Sequence, residues 1–205
     1  MTLKKRFLRS LTRQFGHPHG PGGRVAGWIM ARRSSNVQRS RWAVDLLDVQ
    51  PTDRVIEIGC GPGVAVAAAA SKAALVVGVD PATVVLRQAR RRNRRSVRAG
   101  RVELLAARAE ALPAFDVPFD KALAVNTVGH WDDPVAGLAC LALAMRPGAT
   151  IAVVAQPRHA GATAADSRAA AAELARLLES TGHDSVRVEM LDLEPPAVCV
   201  LARTP

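Results

Sequence analysis

Short apolar runs alternate with longer stretches of helical periodicity from residue 54 onward, and no other feature of the sequence limits the possible folds so strongly. Strands that alternate with helices form crossover units, and successive crossover units build a mainly parallel sheet with helices on both faces. Seven strands are predicted, at Arg54–Ile58, Ala74–Val79, Arg101–Ala106, Phe119–Val125, Ala149–Ala155, Ser185–Leu193 and Ala197–Ala202. The intervening helices are predicted at Gly63–Ser71, Ala82–Val97, Pro134–Met145 and Asp166–Thr181.

The last two strand candidates are separated only by Glu194-Pro195-Pro196. Three residues are too few for a crossover, so these two strands are expected to form an antiparallel hairpin. The sequence therefore predicts an α/β fold with a doubly wound, seven-stranded, mostly parallel sheet that ends in an antiparallel hairpin.

The positive charge of the chain is concentrated at its start. Residues 1–44 contain ten Lys or Arg and no acid, whereas the remaining residues contain 18 basic and 18 acidic side chains, which gives the net charge of +10. Helical spacing of apolar residues from Leu3 to Phe15 predicts a basic amphipathic helix, and the Gly/Pro cluster at 16–23 predicts a hinge. We interpret residues 1–44 as a helical lid or substrate segment, and residues 45–205 as the ligand-binding domain.

Composition excludes several classes of protein. No apolar run reaches the roughly 18 residues that a membrane-spanning helix needs. Cys60, Cys140 and Cys199 have no metal-like spacing, so we predict no metal site and expect the reduced thiols of a cytoplasmic protein.

The basic first helix favours a peripheral contact with an anionic membrane surface. The alternative is that its basic face is solvated and the helix covers the site.

A glycine-rich loop follows the first strand directly. Arg54–Ile58 continues into Gly59-Cys60-Gly61-Pro62-Gly63, and the next strand ends in Val79-Asp80. Ligands of open α/β sheets bind at the carboxyl ends of strands, and glycine lets the main chain turn sharply and approach a ligand closely. The carboxylate of Asp80 is placed where a ribose diol could donate to it.

Further motifs occur in the same order along the chain. They are Val55–Gly63, Val79-Asp80, the turn Ala109–Pro113, Phe119-Asp120 and Arg146-Pro147-Gly148. With these residues the sequence resembles the class I family of S-adenosylmethionine-dependent methyltransferases, especially its small-molecule branch. The resemblance covers about residues 53–157. It implies the Rossmann-like methyltransferase fold and S-adenosylmethionine as the cofactor.

The resemblance also implies roles for individual residues. The main chain of Gly59–Gly63 would pass the methionine part of the cofactor, Asp80 would hold the ribose, and the Ala109-Glu110 turn would border the adenine. Arg108 stands where many relatives carry an acid, so adenine recognition would rest on the backbone around Ala109. The expected cofactor-binding residues are Glu57, Gly59, Cys60, Gly61, Gly63, Asp80, Pro81, Ala109, Glu110 and Asn126. Two simpler interpretations remain open. Asp80 would only cap the helix that follows it, and Glu57 would only be a surface acid at a strand end.

The acceptor side of the site is expected at the ends of strands four and five. Methyl transfer from a sulfonium needs alignment and water exclusion, and it needs a base only when the acceptor must lose a proton. His130 is the candidate base, because an imidazole titrates near neutrality; the alternative is that His130 and Trp131 only close the turn before a helix. The candidate substrate-binding residues are Trp28, Trp131, Gln156 and His159, and Arg158 lies in the same loop.

Several functions fit these features. The preferred one is a methyltransferase acting on a small-molecule or lipid-like acceptor by in-line displacement. A nucleic-acid methyltransferase would use the basic start of the chain, but strand four lacks an Asn/Asp-Pro-Pro-aromatic tetrapeptide and aromatic stacking residues are scarce. A non-catalytic S-adenosylmethionine-binding protein is a further alternative. The Pro62 loop and the hairpin argue against a dinucleotide-dependent oxidoreductase.

Overall fold

The computed structural model describes residues 34–205, and it contains the predicted seven-stranded sheet. The strands are β1 (Arg54–Ile58), β2 (Leu75–Val79), β3 (Val102–Leu105), β4 (Phe119–Val125), β5 (Met145–Ala155), β6 (Asp184–Leu191) and β7 (Ala197–Arg203). The helices are α1 (Ser34–Leu46), α2 (Val64–Ala69), α3 (Thr83–Arg92), α4 (Arg94–Arg98), α5 (Pro134–Ala144) and α6 (Ala164–Ser180).

The strand order is β3-β2-β1-β4-β5-β7-β6, which confirms the predicted fold class. β1 pairs in parallel with both β2 and β4, so the chain reverses its winding direction at β1. The hairpin is antiparallel as expected, and β7 inserts between β5 and β6. Ligands bind beside such a switch point, at the carboxyl ends of the strands.

Two apolar layers hold the sheet between the helices. Side chains alternate between the faces along a strand, so Val55 of β1 packs in one layer and Ile56 in the other. The Ile56 layer includes Leu138 of α5 and Leu178 of α6, both fully buried. Each buried aliphatic side chain contributes about 1.5–3 kcal/mol, so these layers fix where the strand ends lie.

Helix termini follow the local sequence. Asp133 caps α5 by accepting from the amides of Val135 and Ala136, and Pro134 occupies the first turn, where its missing N–H costs nothing. Thr163 and Asp166 form a reciprocal capping box at the start of α6.

The helix predicted over residues 82–97 is divided in two. Asn93 ends α3 and precedes α4, and its buried side-chain amide donates to the carbonyls of Gly63 and Ala89. This side chain therefore ties the glycine loop to α3. The prediction of one continuous helix was wrong, because a hydrogen bond between segments far apart in the sequence leaves no break in helical periodicity.

α1 crosses the predicted boundary between residues 44 and 45. Ala43 and Val44 lie in the same apolar layer as Val55, so residues 34–44 pack on the sheet rather than forming a separate unit. Trp42 is partly buried and packs against this layer. The predicted amphipathic helix at 3–15, the Gly/Pro hinge and Trp28 lie outside the described residues. Within residues 34–205, no helix is long and apolar enough to cross a bilayer.

Candidate cofactor and acceptor site

One cavity of about 1350 Å³ opens at the carboxyl ends of β1, β2, β4 and β5. The predicted site residues that line it are Glu57, Gly59, Cys60, Gly61, Asp80, Pro81, Ala109, Glu110, Asn126, His130, Trp131 and Gln156. Gly63 and His159 are not part of its wall. Pockets for one small ligand measure about 300–1,000 Å³, so this cavity has room for a cofactor and a second molecule.

The glycine loop uses its three glycines differently. All three have positive φ, a conformation that is strained for other residues. A Cβ at Gly59 would lie 1.9 Å from Oγ1 of Thr127, whereas a Cβ at Gly61 would meet no atom within 4 Å. Gly63 is the N-cap of α2 and packs on Ala89. Gly59 and Gly63 therefore permit close packing, and Gly61 leaves open space in the cavity wall.

Asp80 connects the ends of β1 and β2. Its Oδ2 accepts from the amide of Gly61 at 2.9 Å, and its Oδ1 accepts from the amide of Ala82 at 2.8 Å. Burial raises the pKa of this carboxyl, while the two amides oppose the shift. The N-cap of α3 is Ala82, without a side-chain cap, so Asp80 holds the turn before α3 and also fixes the glycine loop beside the cavity. Ribose binding by Asp80 stays a prediction.

Glu57 is buried at the end of β1, and this excludes a surface acid. Its side chain is 3% exposed, and its Oε2 has no hydrogen-bond partner. Burial raises the pKa of Glu57 to about 8, a backbone hydrogen bond near Val66 opposes the shift, and the charge of Asp80 adds to it. An orphaned carboxyl oxygen that lines a ligand-sized cavity fits a donor group on the cofactor.

Cys60 contributes to the cavity mainly through its main chain. Its side chain packs in the apolar layer, where a Cβ on Gly78 would contact Sγ at 3.1 Å. Burial, together with the neighbouring charges of Glu57 and Asp80, raises the pKa of this thiol well above its ordinary value. Burial therefore favours the protonated thiol.

The predicted adenine turn is a short 3₁₀ helix, Ala109–Ala111. Ala109 is buried, and Oε1 of Glu110 accepts from the amide of Asp133 at 3.1 Å. The Glu110 side chain thus holds the start of α5, which leaves the main chain of the turn to face the cavity. Arg108 forms an ion pair with Asp132 on the cavity rim, and both side chains are exposed.

Two side chains join the ends of β4 and β5. Asn126 has a φ of 54°, and its Oδ1 accepts from the amide of Gln156 at 2.7 Å. The Gln156 side chain in turn donates to the carbonyl of Pro195 at 2.7 Å. Both residues line the cavity, so the predicted sites at the two strand ends do lie together.

His130 lies at the mouth of the cavity, at the end of the 3₁₀ helix Val128–His130, and it is exposed. Trp131 is partly buried; its Nε1 donates to Oγ1 of Thr127 at 3.3 Å, and its ring leaves no room for a Cβ at Gly137. Trp131 is therefore a fixed part of the wall, and His130 lines the same cavity from an exposed position.

The structure does not bring His159 to the cavity. Its ring lies 3.8 Å from Oδ1 of Asp166, in the turn that leads into α6. The chain leaves the cavity wall after Arg158, so the side chain of His159 faces the start of the helix instead. The cavity wall therefore gives no support to a substrate role of His159, which stays a prediction. Trp28 lies outside the described residues.

Sequence reasoning missed Asn36, Arg39 and Ser40, which line the cavity from α1. The packed face of this helix contains polar as well as apolar residues. Arg39 and Ser40 are buried together with Ala43, three and four residues further on. The helical spacing of these three residues was the sequence signal for a shared buried face. An arginine at such a position, however, is ordinarily assigned to the solvent-exposed face.

Comparison with known proteins gives a consistent picture. A family model described as a methyltransferase domain matches residues 55–149. The chain is 26% identical over 184 residues to the uncharacterized methyltransferase YdaC of Bacillus subtilis, covering 88% of this chain and 98% of the relative. It is 32% identical over 101 residues to the O-methyltransferase rstn1 of Aspergillus nomiae, covering 49% of this chain and 45% of the relative, or about half of each.

Solved structures share the fold. The [4+2]-cyclase SpnF superimposes with a TM-score of 0.70 at 17% identity, covering 85% of both chains. Magnesium protoporphyrin IX methyltransferase from Synechocystis, solved with bound S-adenosylmethionine, superimposes with a TM-score of 0.64 at 17% identity, covering 82% of this chain and 79% of the other.

Within residues 34–205, no cluster of His, Cys, Asp or Glu side chains is arranged to hold a metal ion.

Proposed function

We propose that this chain, which belongs to the class I S-adenosylmethionine-dependent methyltransferases, methylates a small-molecule or lipid-like acceptor held over the ends of β4 and β5. The observation that carries the proposal is the single cavity that extends from the glycine loop to Asn126, His130 and Gln156. Its volume of about 1350 Å³ leaves space beyond a cofactor for a small acceptor.

The residues on the β1 and β2 side fit the cofactor. Gly61 leaves open space where the main chain meets the cavity, and Glu57 presents an unsatisfied oxygen there. Asp80 holds the loop in place through the Gly61 amide. These residues bind and orient, and S-adenosylmethionine supplies an electrophilic methyl group when bound.

On the β4 and β5 side, the chain aligns the acceptor. Bound S-adenosylmethionine would supply the methyl group with its sulfur as the leaving group, and residues on this side would align the acceptor nucleophile with that group. Trp131, fixed against Thr127, provides a rigid wall for alignment. His130 at the mouth is placed to accept a proton when the acceptor carries one on its nucleophile.

The test is formation of S-adenosylhomocysteine from S-adenosylmethionine with separate sets of acceptors. The sets are phenols and catechols, carboxylic acids, amines, quinols, anionic lipid vesicles, transfer RNA and duplex DNA. We expect turnover with a small-molecule or lipid-like set and none with Gly61→Val, whose side chain would occupy the cofactor space. Turnover only with nucleic acid, or cofactor binding without turnover on any set, would overturn the proposal.

His130→Gln is the matching test of the proton acceptor. We expect it to lower kcat on a protonated acceptor by about 10²–10⁴-fold without weakening cofactor binding. Unchanged kcat across the pH range would show that His130 only closes the turn.

A further inference from the structure

The cavity wall contains a buried cation on its acceptor side. Arg39 of α1 is 3% exposed, and it lines the cavity. No carboxylate within residues 34–205 lies in ion-pair distance of its guanidinium. Burial, followed by the charge of Arg158, lowers the pKa of Arg39 to about 9, so the group is still a cation at neutral pH.

The partners of this guanidinium are neutral. One terminal nitrogen donates to the side-chain oxygen of Gln156, and the other donates to the side-chain oxygen of Asn36. The Nε has no acceptor. An arginine has five N–H donors, and a buried charge without a counterion costs several kcal/mol. The site therefore holds Arg39 in place while leaving part of its hydrogen-bonding capacity and its charge unmatched.

A second cation meets the same amide. Nη2 of Arg158 donates to Oδ1 of Asn36 at 2.8 Å, so one neutral oxygen accepts from two guanidinium groups. Like charges brought this close repel each other, and an anion bound beside both would relieve the repulsion. Arg158 also lines the cavity, so a ligand in the cavity can reach both residues.

The two arginines lie on the acceptor half of the site. Gln156 and Arg158 follow β5, which is separated from β1 by β4. With strands about 4.8 Å apart, the ends of β5 and β1 are separated by about 10 Å. The buried acids Glu57 and Asp80 line the other half. The two buried acids and the buried guanidinium of Arg39 thus lie on different sides of the cavity.

We propose that Arg39 and Arg158 bind an oxyanion of the methyl acceptor, either a carboxylate or a phosphate group, and so select acidic acceptors. This inference rests on the proposed function for the identity of the ligand as an acceptor. The planar fork of a guanidinium matches the oxygens of a carboxylate or phosphate in pairs. Gln156 and Asn36 orient the fork, and the anion anchors the acceptor so that its nucleophile faces the methyl group.

The test compares acids with their neutral amides. Binding of octanoate and octanamide, of 4-hydroxybenzoate and 4-hydroxybenzamide, and of inorganic phosphate is measured by titration calorimetry on protein saturated with S-adenosylhomocysteine. We expect at least one acid to bind tighter than its amide by about tenfold or more, the scale of charge-assisted hydrogen bonds. Arg39→Met should abolish this preference. Arg41→Met, at an exposed position of the same helix outside the cavity, should preserve it.

Equal affinity for every acid and its amide, or a preference that survives in both Arg39→Met and Arg158→Met, would overturn the inference. Arg158 is exposed, so its variant reports on the site even where the Arg39 variant fails to fold. The methionine carboxylate of the cofactor is the other possible anion. In that case, Arg39→Met would weaken binding of S-adenosylhomocysteine and leave the acid preference intact.

The same titrations separate the two proposals. Acid-selective binding by Arg39 without methyl transfer to any small molecule would contradict the proposed function and leave the oxyanion site standing. Methyl transfer to neutral acceptors only, at rates that Arg39→Met leaves unchanged, would contradict the oxyanion site and leave the proposed function standing.

Discussion

The carboxylate of Asp80, at the end of β2, accepts a hydrogen bond from the amide of Gly61, in the loop after β1. The other oxygen of the same carboxylate accepts from the amide of Ala82, the residue that precedes α3. One side chain thereby sets the shape of the glycine loop and the position of the helix that follows the next strand. Loss of this carboxylate should affect cofactor binding and stability together.

We predict that Asp80→Ala weakens binding of S-adenosylhomocysteine by about 1.5–3 kcal/mol and also lowers the melting temperature, because the hydrogen bonds from Gly61 and from Ala82 are both lost. Titration calorimetry and thermal unfolding measure the two effects. Asp116→Ala, at an exposed position, is the control and should change neither. A lower melting temperature with unchanged affinity would mean that Asp80 only holds the turn before α3.

Glu57 should make the stability of the protein depend on pH. Its pKa is about 8 when folded and about 4.5 when exposed, so between these values the folded protein holds a proton that the unfolded chain releases. Its contribution to stability is complete below the unfolded pKa. It then falls as pH rises through the folded pKa, by about 1.4 kcal/mol per pH unit.

Glu57→Gln should remove this slope, because an amide does not titrate in that range. Urea unfolding at intervals from about pH 5 to 8 provides the measurement, and Glu103→Gln, an exposed acid of β3, is the matched control. If wild type and Glu57→Gln lose stability in parallel over this range, then the carboxyl is not a buried neutral group.

The glycines of the loop should respond differently to substitution. Gly59→Ala places a Cβ against Thr127 and should destabilise the fold, whereas Gly61→Val should mainly abolish cofactor binding, since its side chain enters open space. Both substitutions also carry about 1–3 kcal/mol of backbone strain. Unfolding midpoints and calorimetry separate the effects. Adding Thr127→Gly to Gly59→Ala removes the Thr127 side-chain atoms that the new Cβ would contact, so part of the lost stability should return. If no stability returns, the contact with Thr127 is not the cause of the loss.

Arg108 was expected to be a position where an acid tightens cofactor binding. The ion pair with Asp132 changes the experiment, because Arg108→Asp alone sets two carboxylates side by side. We predict a gain in affinity only for Arg108→Asp combined with Asp132→Asn. The lost surface pair should cost no more than about 1 kcal/mol of stability. A double variant with wild-type or weaker affinity for S-adenosylhomocysteine would refute an adenine contact at this position.

Deletion of residues 1–22 tests the basic lid that the sequence predicts. The described residues already contain the whole sheet and the cavity, so cofactor affinity should be retained. Acceptor methylation or binding to anionic vesicles should decrease. Wild-type turnover together with unchanged vesicle binding would rule out both roles, and failure of the truncated chain to fold would make the segment part of the core.

Local sequence signals were sufficient for the strands and the glycine loop. Mainly apolar runs bounded by breakers predicted Arg54–Ile58 and Phe119–Val125 with the bounds that the structure has. The position of Asp80 beside the loop followed from the rule that strand ends meet at one edge of a sheet.

Features that depend on distant segments were not predictable in this way. The burial of Glu57 requires α2 to cover it, and the break at Asn93 requires the carbonyl of Gly63. Arg39 is buried because Gln156, 117 residues further along the chain, accepts from it. The spacing of residues within one helix gives no indication of such a partner. The cavity on the acceptor side was therefore the least predictable part of the site.

The insertion of β7 between β5 and β6 has a consequence for how the protein is made. β7 is the last of the seven strands in the sequence and an interior strand in space, and six of its seven residues are buried. Until it emerges from the ribosome, β5 presents an unpaired edge of backbone amides and carbonyls, which is the kind of surface that pairs with other chains. Nascent chains that stall before Ala197 should thus depend on chaperones to avoid aggregation, whereas chains released after β7 should not.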